Sequence, residues 1–461
     1  MNDLLGRPPL LPDPGRERAR PWPVMMRVVL GLLLLVAVGT LALRFLPGVT
    51  TRPISLREAA FTATSAVAVT GLSVLTTSVD FTPWGQTVLL LLIQVGGLGY
   101  MFAAALILRL FRRRVSLRDR LALSSSLGLA QPTNILRLMG QVLAGILIIE
   151  GVGALLLFLH WRFSGIVPAD RVLFYAVFHA VSAFCNAGFD LFAGLPNYPR
   201  GIPGDSPTLL IMGGLVFAGG LGIPVYADFL ERGFRRLSLH TRLTLVVVVV
   251  LVLLGWVGLL VDESRPGGLL FAAGWEQRVV HTWFQSVSAR TAGFPGLEDF
   301  QRLQPAGQLL VMVLMFIGSA PASMGGGITT GTFVVLTLAL WSYAKGNPAV
   351  QVRWRTIASG TVLRAGAVLS ISLGVVMVAS WLIMLTHPFS LSSVLFEVVS
   401  AFSTCGLSLG ITGGLNGFGQ LVIILMMIWG RLGALTIVTA ILQRHTPVQL
   451  VQYPEETVLI G

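Results

Sequence analysis

Cysteine is nearly absent, and the two that occur, Cys185 and Cys405, lie 220 positions apart in a chain of 461 residues. This excludes a disulfide framework, and no CxxC pair or Cys/His cluster is present that could hold a metal. The six histidines are scattered, with no HExxH or paired ligand spacing. We expect both cysteines and the histidines to have packing roles.

Charge is also scarce. Only 11 % of the residues are charged, against about 25 % in a soluble domain. Hydrophobic residues make up 54 %, and the mean hydropathy is +0.81. These values exclude a soluble protein and a polar catalytic cleft with a Ser/His/Asp or Cys/His arrangement. They predict a multi-pass membrane protein with room for roughly eight to ten spans of about 20 residues.

The net charge of +12 does not indicate a nucleic-acid partner, because the basic residues lie in short loops between apolar runs. No GxGxxG nucleotide fold is present either. The first 22 residues are rich in Pro and Arg, and a full-length apolar run follows them without a clear cleavage site. We therefore predict a disordered cytoplasmic tail over residues 1–22 and not a signal peptide.

One short pattern occurs four times. A run of small and hydroxyl residues ends at a glycine, and the glycines are spaced by 105 to 117 residues. Such a long repeat distance indicates one structural unit used four times. The four copies are Phe61–Leu75, Phe178–Phe189, Phe284–Phe294 and Phe396–Leu407, with glycines Gly71, Gly188, Gly293 and Gly406.

Each copy lies in a unit of helix, half-helix, irregular loop and helix, because the segment before each glycine is too short to span a bilayer. This predicts an all-α membrane protein of four covalently joined units around one central pore, with eight spans and four re-entrant segments. The units are residues 23–115, 132–236, 241–345 and 356–445, followed by a cytoplasmic tail, 446–461. The predicted spans are Val24–Leu46, Thr82–Leu110, Ile135–Trp161, Thr208–Leu230, Leu243–Val261, Gly307–Trp341, Val362–Leu385 and Phe418–Leu442, and the re-entrant segments are Ile54–Val69, Val172–Phe184, Trp275–Ala289 and Leu391–Phe402.

The linkers between units carry most of the basic residues. Because cytoplasmic loops are enriched in Lys and Arg, we predict that the linkers and both termini are cytoplasmic and that the four glycine breaks open from the outer side. The basic residues are Arg109, Arg112, Arg113, Arg114, Arg118, Arg120, Arg232, Arg235, Arg236, Arg242, Lys345, Arg353 and Arg355.

The second span of the third unit is too long to be one helix. Its 35 residues would extend about 52 Å, against a hydrocarbon core of about 30 Å. Small residues and a proline in its middle predict a non-helical loop, which at membrane depth has to be buried in protein or line a cavity. The predicted loop residues are Gly318, Ser319, Ala320, Pro321, Ser323, Gly325, Gly326 and Gly327. A phosphate cradle is not indicated, because no strand precedes them and GKS or GKT is missing.

Four re-entrant loops around one axis can point main-chain carbonyl oxygens at it and replace the hydration shell of an alkali cation. Glycine permits the backbone angles that this requires, and the negative C-terminal end of each half-helix favours cations. The predicted ion-binding residues are Val69, Thr70, Gly71, Asn186, Ala187, Gly188, Thr291, Ala292, Gly293, Thr404, Cys405 and Gly406.

The chain resembles the KtrB/TrkH superfamily of potassium translocation subunits from about Val24 to Leu442, and its length is more similar to the KtrB branch. The resemblance rests on TATSAVAVTGLSV, IQVGGLGYM, SAFCNAGFDLF, ARTAGF, MFIGSAPASMGGGITTGTF, EVVSAFSTCGLSLGIT and IWGRLGALT. It implies a potassium filter formed by the four loops and an intramembrane gating loop at the interrupted span. The four filter glycines imply potassium selectivity, since relatives with serine at the first position tend to pass sodium.

The same resemblance implies a homodimer in the inner membrane with one pore per subunit. It also implies cytoplasmic nucleotide-binding regulatory subunits of the KtrA/TrkA type, so that a nucleotide would act only through a partner. No covalent cofactor is expected, and potassium, with sodium as the alternative, is the ion in the pore. The family commonly has a lysine after the GGI of the gating loop, where this chain has Thr329, so a gating role for that lysine does not transfer.

Charged residues inside spans are candidates for function. Arg431 matches the family's pore-facing arginine, and we expect its guanidinium to donate to carbonyls of the interrupted loop and to form a positive barrier; the alternative is a structural cap. Asp190 either concentrates cations at the outer mouth or makes hydrogen bonds within its loop. Glu150 either pairs with a neighbouring helix or lines a pathway. Asp228 and Glu231 are expected at a cytoplasmic span end.

Two other functions remain as alternatives. A sodium-coupled secondary transporter with alternating access would use inverted repeats, whereas each unit here contributes an even number of spans and starts on the same side. A membrane-embedded enzyme would need a catalytic constellation, and the sequence contains none. Potassium-permeable, channel-like transport is therefore the favoured prediction.

Overall fold

The computed structural model describes residues 24–99, 135–198, 201–347, 349–352 and 355–433. Helices dominate these residues, and a two-stranded antiparallel hairpin (β1, Gln351–Val352; β2, Arg355–Thr356) lies between the third and fourth units. The helices of two turns or more are α1 (Val24–Phe45), α2 (Leu56–Ala68), α3 (Pro83–Leu98), α4 (Ile135–Ser164), α5 (Val172–Phe184), α6 (Ser206–Gly219), α7 (Ile223–Arg232), α8 (Leu239–Glu263), α9 (Trp275–Ser288), α10 (Pro305–Ile317), α11 (Thr330–Ala344), α12 (Ser359–Met384), α13 (Leu391–Ser403) and α14 (Gly417–Leu432).

The four predicted re-entrant segments are short helices, which we call the P helices: α2, α5, α9 and α13. Each has 13 or 14 residues, about 20 Å, too short to cross a hydrocarbon core of about 30 Å. Helix α5 has the predicted bounds, and the other three differ from them by one or two residues. A capping box begins α2, where Ser55 accepts from the main-chain N–H of Glu58 and Glu58 accepts from that of Ser55.

The first helix of each unit is long and lipid-facing. Helices α1, α4, α8 and α12 are the four single helices in the described residues that are long and apolar enough to cross a membrane. They expose large apolar side chains, such as Leu34 with 65 % of its surface accessible. The polar backbone of such a helix is satisfied internally, which allows its surface to face lipid.

The core lies around the P helices. The first residue of each repeated motif, a phenylalanine at positions 61, 178, 284 and 396, has no accessible surface. Large buried aromatic side chains contribute most to packing per residue. Phe178 belongs to a cluster built mainly from the first two units, and Phe396 to one built mainly from the last two. The buried core therefore includes residues from all four P helices.

The prediction that only the third unit has an interrupted second span is wrong. Thr208–Leu230 is not one helix: α6 ends at Gly219, α7 begins at Ile223, and the two helices are bent by 81°. Gly222 has a φ of +87°, a left-handed backbone that ends regular helix geometry.

The second helices of the first and fourth units also end within the described residues. Helix α3 ends at Leu98 and α14 at Leu432, each followed by a glycine of positive φ, Gly99 and Gly433. The third unit is interrupted as predicted, between α10 and α11. The described residues therefore do not contain the eight uninterrupted spans that we predicted. Four single helices, and the bent pair α6–α7 taken together, are long and apolar enough to cross a membrane. The predicted ends at Leu110 and Leu442, both tails, Arg353 and the arginines from Arg109 to Arg120 lie outside the described residues.

Candidate functional site

The four predicted breaks share one unusual backbone pattern. Two positions before each glycine lies a residue of positive φ, the residue between them has negative φ, and the glycine is again positive. Alternating left- and right-handed residues turn successive carbonyl groups to the same side of the chain, whereas a regular strand alternates them. The positive values are 55° and 87° at Val69 and Gly71, 57° and 68° at Asn186 and Gly188, 104° and 76° at Thr291 and Gly293, and 50° and 96° at Thr404 and Gly406.

Three of the four non-glycine positions carry β-branched residues, Val69, Thr291 and Thr404. A β-branched side chain at positive φ is a genuine conformational outlier. Such strain persists only where the surrounding structure holds it, and it occurs preferentially at functional sites.

The four loops form a closed ring. A methyl group added to Gly71 would lie 2.6 Å from the carbonyl oxygen of Ala187, and one added to Gly188 would lie 2.8 Å from that of Ala292. One added to Gly293 would overlap the carbonyl of Cys405, and one added to Gly406 would overlap that of Thr70, which returns to the first loop. Each ring glycine thus packs against the next loop in cyclic order, at the residue that lies directly before the glycine of that loop. All twelve predicted ion-binding residues lie in these loops, directly after the ends of the P helices.

On each P helix a serine side chain forms a hydrogen bond to the ring loop that follows the helix. The main-chain N–H groups of Gly71 and Gly406 each donate to a serine hydroxyl, Ser65 and Ser400, at 3.0 Å. In the other two units the hydroxyls of Ser182 and Ser288 donate to the carbonyls that follow the glycine, at 2.8 and 2.6 Å. These serines lie within the repeated motifs, but no role was predicted for them from the sequence. The Ser-Ala pair common to all four motifs was the signal.

The position three residues before each serine is polar and buried. In the third unit Gln285 accepts from the N–H of Gly296 at 2.8 Å. In the fourth, Glu397 accepts from the hydroxyls of Ser408, at 2.7 Å, and Thr412. These side chains anchor the segment that leaves the ring, so the ring is supported on both sides.

In the second unit this position is His179, which lies 3.0 Å from Asp190. Asp190 also accepts from the main-chain N–H groups of Phe192 and Ala193, at 2.7 and 3.1 Å. Its carboxylate is mostly buried, with 11 % of the side-chain surface accessible. Asp190 therefore makes the hydrogen bonds within its loop that one of the two alternatives expected. An effect of Asp190 on cations at the outer mouth remains a prediction.

A cavity of about 490 Å³ lies on the side of the ring where the P helices begin. Its lining includes the ring glycines Gly293 and Gly406 together with Ser408, Asp299 and Gln301. The cavity beside the ring is therefore lined by these polar groups together with apolar side chains, among them Leu297, Phe300 and Leu407.

The interrupted segment of the third unit lies on the other side of the ring. The N–H of Gly326 donates to the Thr404 hydroxyl at 2.8 Å, and the Ser319 hydroxyl lies 2.6 Å from that of Thr291. Both partners are ring residues. The segment also meets the break of the second unit, because the N–H of Ala320 donates to the carbonyl of Gly220 at 3.2 Å. All eight predicted loop residues lie between α10 and α11, in contact with the ring or beside it.

Arg431 lies at the end of α14 in the fourth unit, and its side chain contacts both the third and the first unit. Its guanidinium donates to the carbonyl of Met324, inside the interrupted segment, as we expected from the sequence. It also donates to the carbonyls of Gly96 and, at 2.8 Å, Gly97, where α3 ends. Carbonyls at a helix C-terminus have no partner within the helix, so a cation is favourable there. Its role as a barrier remains a prediction.

Arg290 was missed by our sequence analysis. It lies on the ring loop of the third unit, is buried, and donates through Nη2 to the carbonyl of Gly318 at 2.8 Å. An arginine beside the ring is a departure from the repeat, because Val67, Phe184 and Phe402 follow the Ser-Ala pair in the other units. That difference between the copies could have identified it.

A second recurring pattern marks the breaks. Gly-x-Leu-Gly occurs at 96–99, 219–222 and 430–433, and Gly-Ser-Ala-Pro stands at 318–321. A methyl group on Gly96, Gly219 or Gly430 would overlap the carbonyl of Val67, Phe184 or Phe402, respectively. These glycines let the second helix touch the end of the P helix, and the pattern would have predicted where the second helix ends in the first, second and fourth units.

The remaining polar candidates have structural partners. Glu150 is buried and accepts from the Gln94 amide on α3, with both oxygens at 3.2 Å, which is the helix-pairing alternative. Asp228 lies near the end of α7 and accepts from the N–H of Ser238 at 2.7 Å. Cys185 and Cys405 are both buried and free, the former against Gly97, as expected of small residues at crowded positions.

The fold and the ring together define a class: a multi-pass, all-α membrane protein in which four re-entrant loops enclose one axis. The sequence model of the TrkH family, described as a cation transport protein, matches residues 36–447. The chain therefore belongs to the TrkH family of cation transport proteins, which are not enzymes.

Individual relatives agree with this assignment. The chain is 36 % identical to the Ktr system potassium uptake protein B of Vibrio alginolyticus over 458 residues, 98 % of each chain. It is 33 % identical to the potassium/sodium uptake protein NtpJ of Enterococcus hirae, over 88 % of this chain and 89 % of that one. The crystal structure of the potassium transporter TrkH from Vibrio parahaemolyticus shares the fold, with a TM-score of 0.72, 19 % identity, and coverage of 93 % of this chain and 87 % of the other.

Proposed function

We propose that this protein is the potassium-translocating subunit of a Ktr/Trk-type uptake system and that potassium permeates through the ring of four loops. The observation that carries the proposal is the closed ring itself, in which four glycines pack in cyclic order against carbonyl-bearing residues of neighbouring loops. The alternating φ values turn successive carbonyls to one side of each loop. Carbonyl oxygens arranged in this way replace the hydration shell of potassium.

The electrostatics favour a cation without a carboxylate ring. Each P helix ends at the ring, so its negative C-terminal end faces the axis. The ion is the substrate, and no covalent cofactor takes part. The names of the relatives mention potassium and, for NtpJ, sodium as well, so sodium dependence has to be measured.

The segment from Gly318 to Gly327 is proposed as the gate, with Arg431 as a positive barrier next to it. The hydrogen bonds from this segment to Thr291 and Thr404 support this placement, since they hold it against the ring. Channel-like permeation with a gate requires less rearrangement than alternating access, because the site lies on one axis shared by four similar units.

The proposed orientation places both termini in the cytoplasm of a cell with the protein in its inner membrane. The basic residues near the ends of α7 and α11, including Arg232 and Lys345, support it through the positive-inside rule. A homodimer with cytoplasmic nucleotide-binding subunits of the KtrA/TrkA type is proposed as the working assembly. The name of the Vibrio alginolyticus relative, Ktr system potassium uptake protein B, supports a multi-component system.

Growth rescue tests the proposal. Cells lacking their own potassium uptake are expected to grow at low potassium when they express this protein with its partner subunits, with and without sodium in the medium. Growth that requires sodium would assign the co-ion. Failure of rescue while the protein is present in the membrane would contradict the potassium assignment.

A further inference from the structure

The third ring loop departs from the other three at one position. In three units the serine of the Ser-Ala pair lies six positions before the ring glycine, but Ser288 lies only five positions before Gly293. In this shortened loop Arg290 takes the place of an apolar residue. A departure confined to one of four copies indicates a task that the other copies do not share.

Arg290 is held by the first residues of the interrupted segment. Its Nη2 donates to the carbonyl of Gly318 at 2.8 Å, and its own carbonyl accepts from the Ser319 hydroxyl at 3.0 Å. Its side chain forms no ion pair in the part of the chain that the structure describes. A buried arginine without a counter-charge depends on carbonyl acceptors, so this position requires Gly318 to stay where it is.

Ser319 also contacts Thr291, which is in a strained conformation. Thr291 has a φ of +104°, the largest value among the non-glycine residues described, and a β-branched side chain. Its hydroxyl lies 2.6 Å from that of Ser319 and 3.1 Å from the Asn186 amide. A continuous chain of hydrogen bonds therefore runs from the second ring loop through Thr291 and Ser319 to the carbonyl of Arg290.

The rest of the interrupted segment is held differently. Its later residues contact Arg431 through the carbonyl of Met324 and the fourth ring loop through the N–H of Gly326. Gly327, with a φ of +80°, ends the segment with a backbone that only glycine adopts readily. The first residues of the segment are thus bonded to the third ring loop, whereas Met324 and Gly326 are bonded to Arg431 and to the fourth ring loop.

We propose that Gly318 and Ser319 are a fixed support of the third ring loop, fastened by Arg290, and that gating movement is confined to the residues after Pro321. Arg290 is then a positioning residue for ion selectivity, because it keeps Thr291 in the conformation that completes the ring. The inference rests on the proposed function. It separates residues that serve selectivity from residues that serve the gate within one segment.

The test compares two readouts in proteoliposomes that contain the full chain with its partner subunits. Arg290→Gln and Ser319→Ala are expected to lower the ratio of potassium to sodium flux about five- to tenfold, the size expected when a buried positioning hydrogen bond is lost. Neither variant should raise the basal potassium flux. Arg431→Ala, on the gate side, should raise the flux and leave the ratio unchanged.

Arg278→Gln is the matched control, because Arg278 is on the P helix that precedes Arg290 and donates to main-chain carbonyls of Phe271 and, at 2.9 Å, Ala273, away from the ring. It should leave both readouts at the wild-type level. Arg290→Lys keeps the charge and one donor and should restore part of the selectivity. The double variant of Arg290 and Ser319 should not exceed the larger single effect, since both side chains act on the same support of the third ring loop.

The opposite pattern overturns the proposal: a raised basal flux with an unchanged ratio would make Arg290 and Ser319 part of the gate. If Arg290→Gln does not fold, Ser319→Ala decides, because removing a hydroxyl leaves the packing almost intact, and an unchanged ratio in that variant rejects the support role. A wild-type protein that carries no potassium would instead reject the proposed function, and the inference with it.

Discussion

The guanidinium of Arg431 lies 2.8 Å from the carbonyl oxygen of Gly97, which joins the last described helix of the fourth unit to the end of α3 in the first. The same side chain reaches Met324 in the interrupted segment. One cation therefore connects three of the four units at a level next to the ring. This cation is the barrier that we propose, and its contact to Met324 holds the segment that we propose as the gate.

Arg431→Ala is expected to increase potassium flux, because it removes both the charge and the contact to Met324. Arg431→Lys should give an intermediate flux, since it keeps the charge but cannot reach three carbonyls at once. Rubidium uptake into proteoliposomes measures both. Wild-type flux and gating in the alanine variant would reject the barrier and leave the structural cap.

Gly71→Ser is expected to weaken the preference for potassium over sodium. The added β-carbon would lie 2.6 Å from the carbonyl oxygen of Ala187, and a side chain at a φ of +87° is strained. The first loop therefore has to shift, which changes the distance between the carbonyls and the ion. Competition of sodium against rubidium uptake measures the preference.

Gly48→Ser is its control. Gly48 also has a positive φ, +74°, but nothing lies within 4 Å of an added β-carbon. It carries a similar backbone penalty far from the ring and should leave selectivity unchanged. Equal selectivity in both variants and the wild type would show that Gly71 does not contact the ion path.

Gly222→Ala tests the break that the sequence analysis missed. Its β-carbon would lie 2.6 Å from the carbonyl oxygen of Pro321, and its φ is +87°. We expect the interrupted segment to shift, with a higher basal flux and a loss of about 1–2 kcal/mol of stability from the left-handed backbone. Gly214→Ala, on the preceding helix with open space around it, should change neither quantity. Indistinguishable fluxes in the two variants would mean that the bend of the second unit is independent of the gate.

Asp190→Asn separates the two roles considered for this residue. Its carboxylate accepts from two main-chain N–H groups and lies beside His179, so the amide is expected to cost about 1–3 kcal/mol of stability. Potassium affinity should stay close to wild type. Asp170→Asn, with an exposed side chain, is the control for loss of a charge. A reduced affinity with unchanged thermal stability would instead assign Asp190 to the outer mouth.

Local signals predicted the P helices well. Two of them are bounded by capping residues: a serine cap begins α2 and α13, and a residue of positive φ follows directly where these two helices end. Length alone excluded a full span. The predicted bounds of α5 were correct to the residue, since its apolar run stops where the small and polar residues of the loop begin.

Helix continuity was harder to predict. The run from Thr208 to Leu230 is apolar throughout and has the length of a span, so nothing in its hydropathy marks the 81° bend. The bend depends on Gly219 touching the end of the P helix and on Gly222 lying against Pro321 of another unit. Contacts between distant segments decide such a break, and only the recurrence of Gly-x-Leu-Gly reflects them in the sequence.

Hydropathy, helix length and backbone freedom are local properties. The membrane environment, the fourfold repeat and the four glycines could therefore be predicted from the sequence alone. The order of the ring, the joining of three units by Arg431 and the burial of Arg290 against Gly318 were decided by the tertiary structure. Each requires residues separated by 28 to more than 300 positions to meet. Local properties of the chain specify the individual helices and loops, and packing around one axis specifies which of them are in contact.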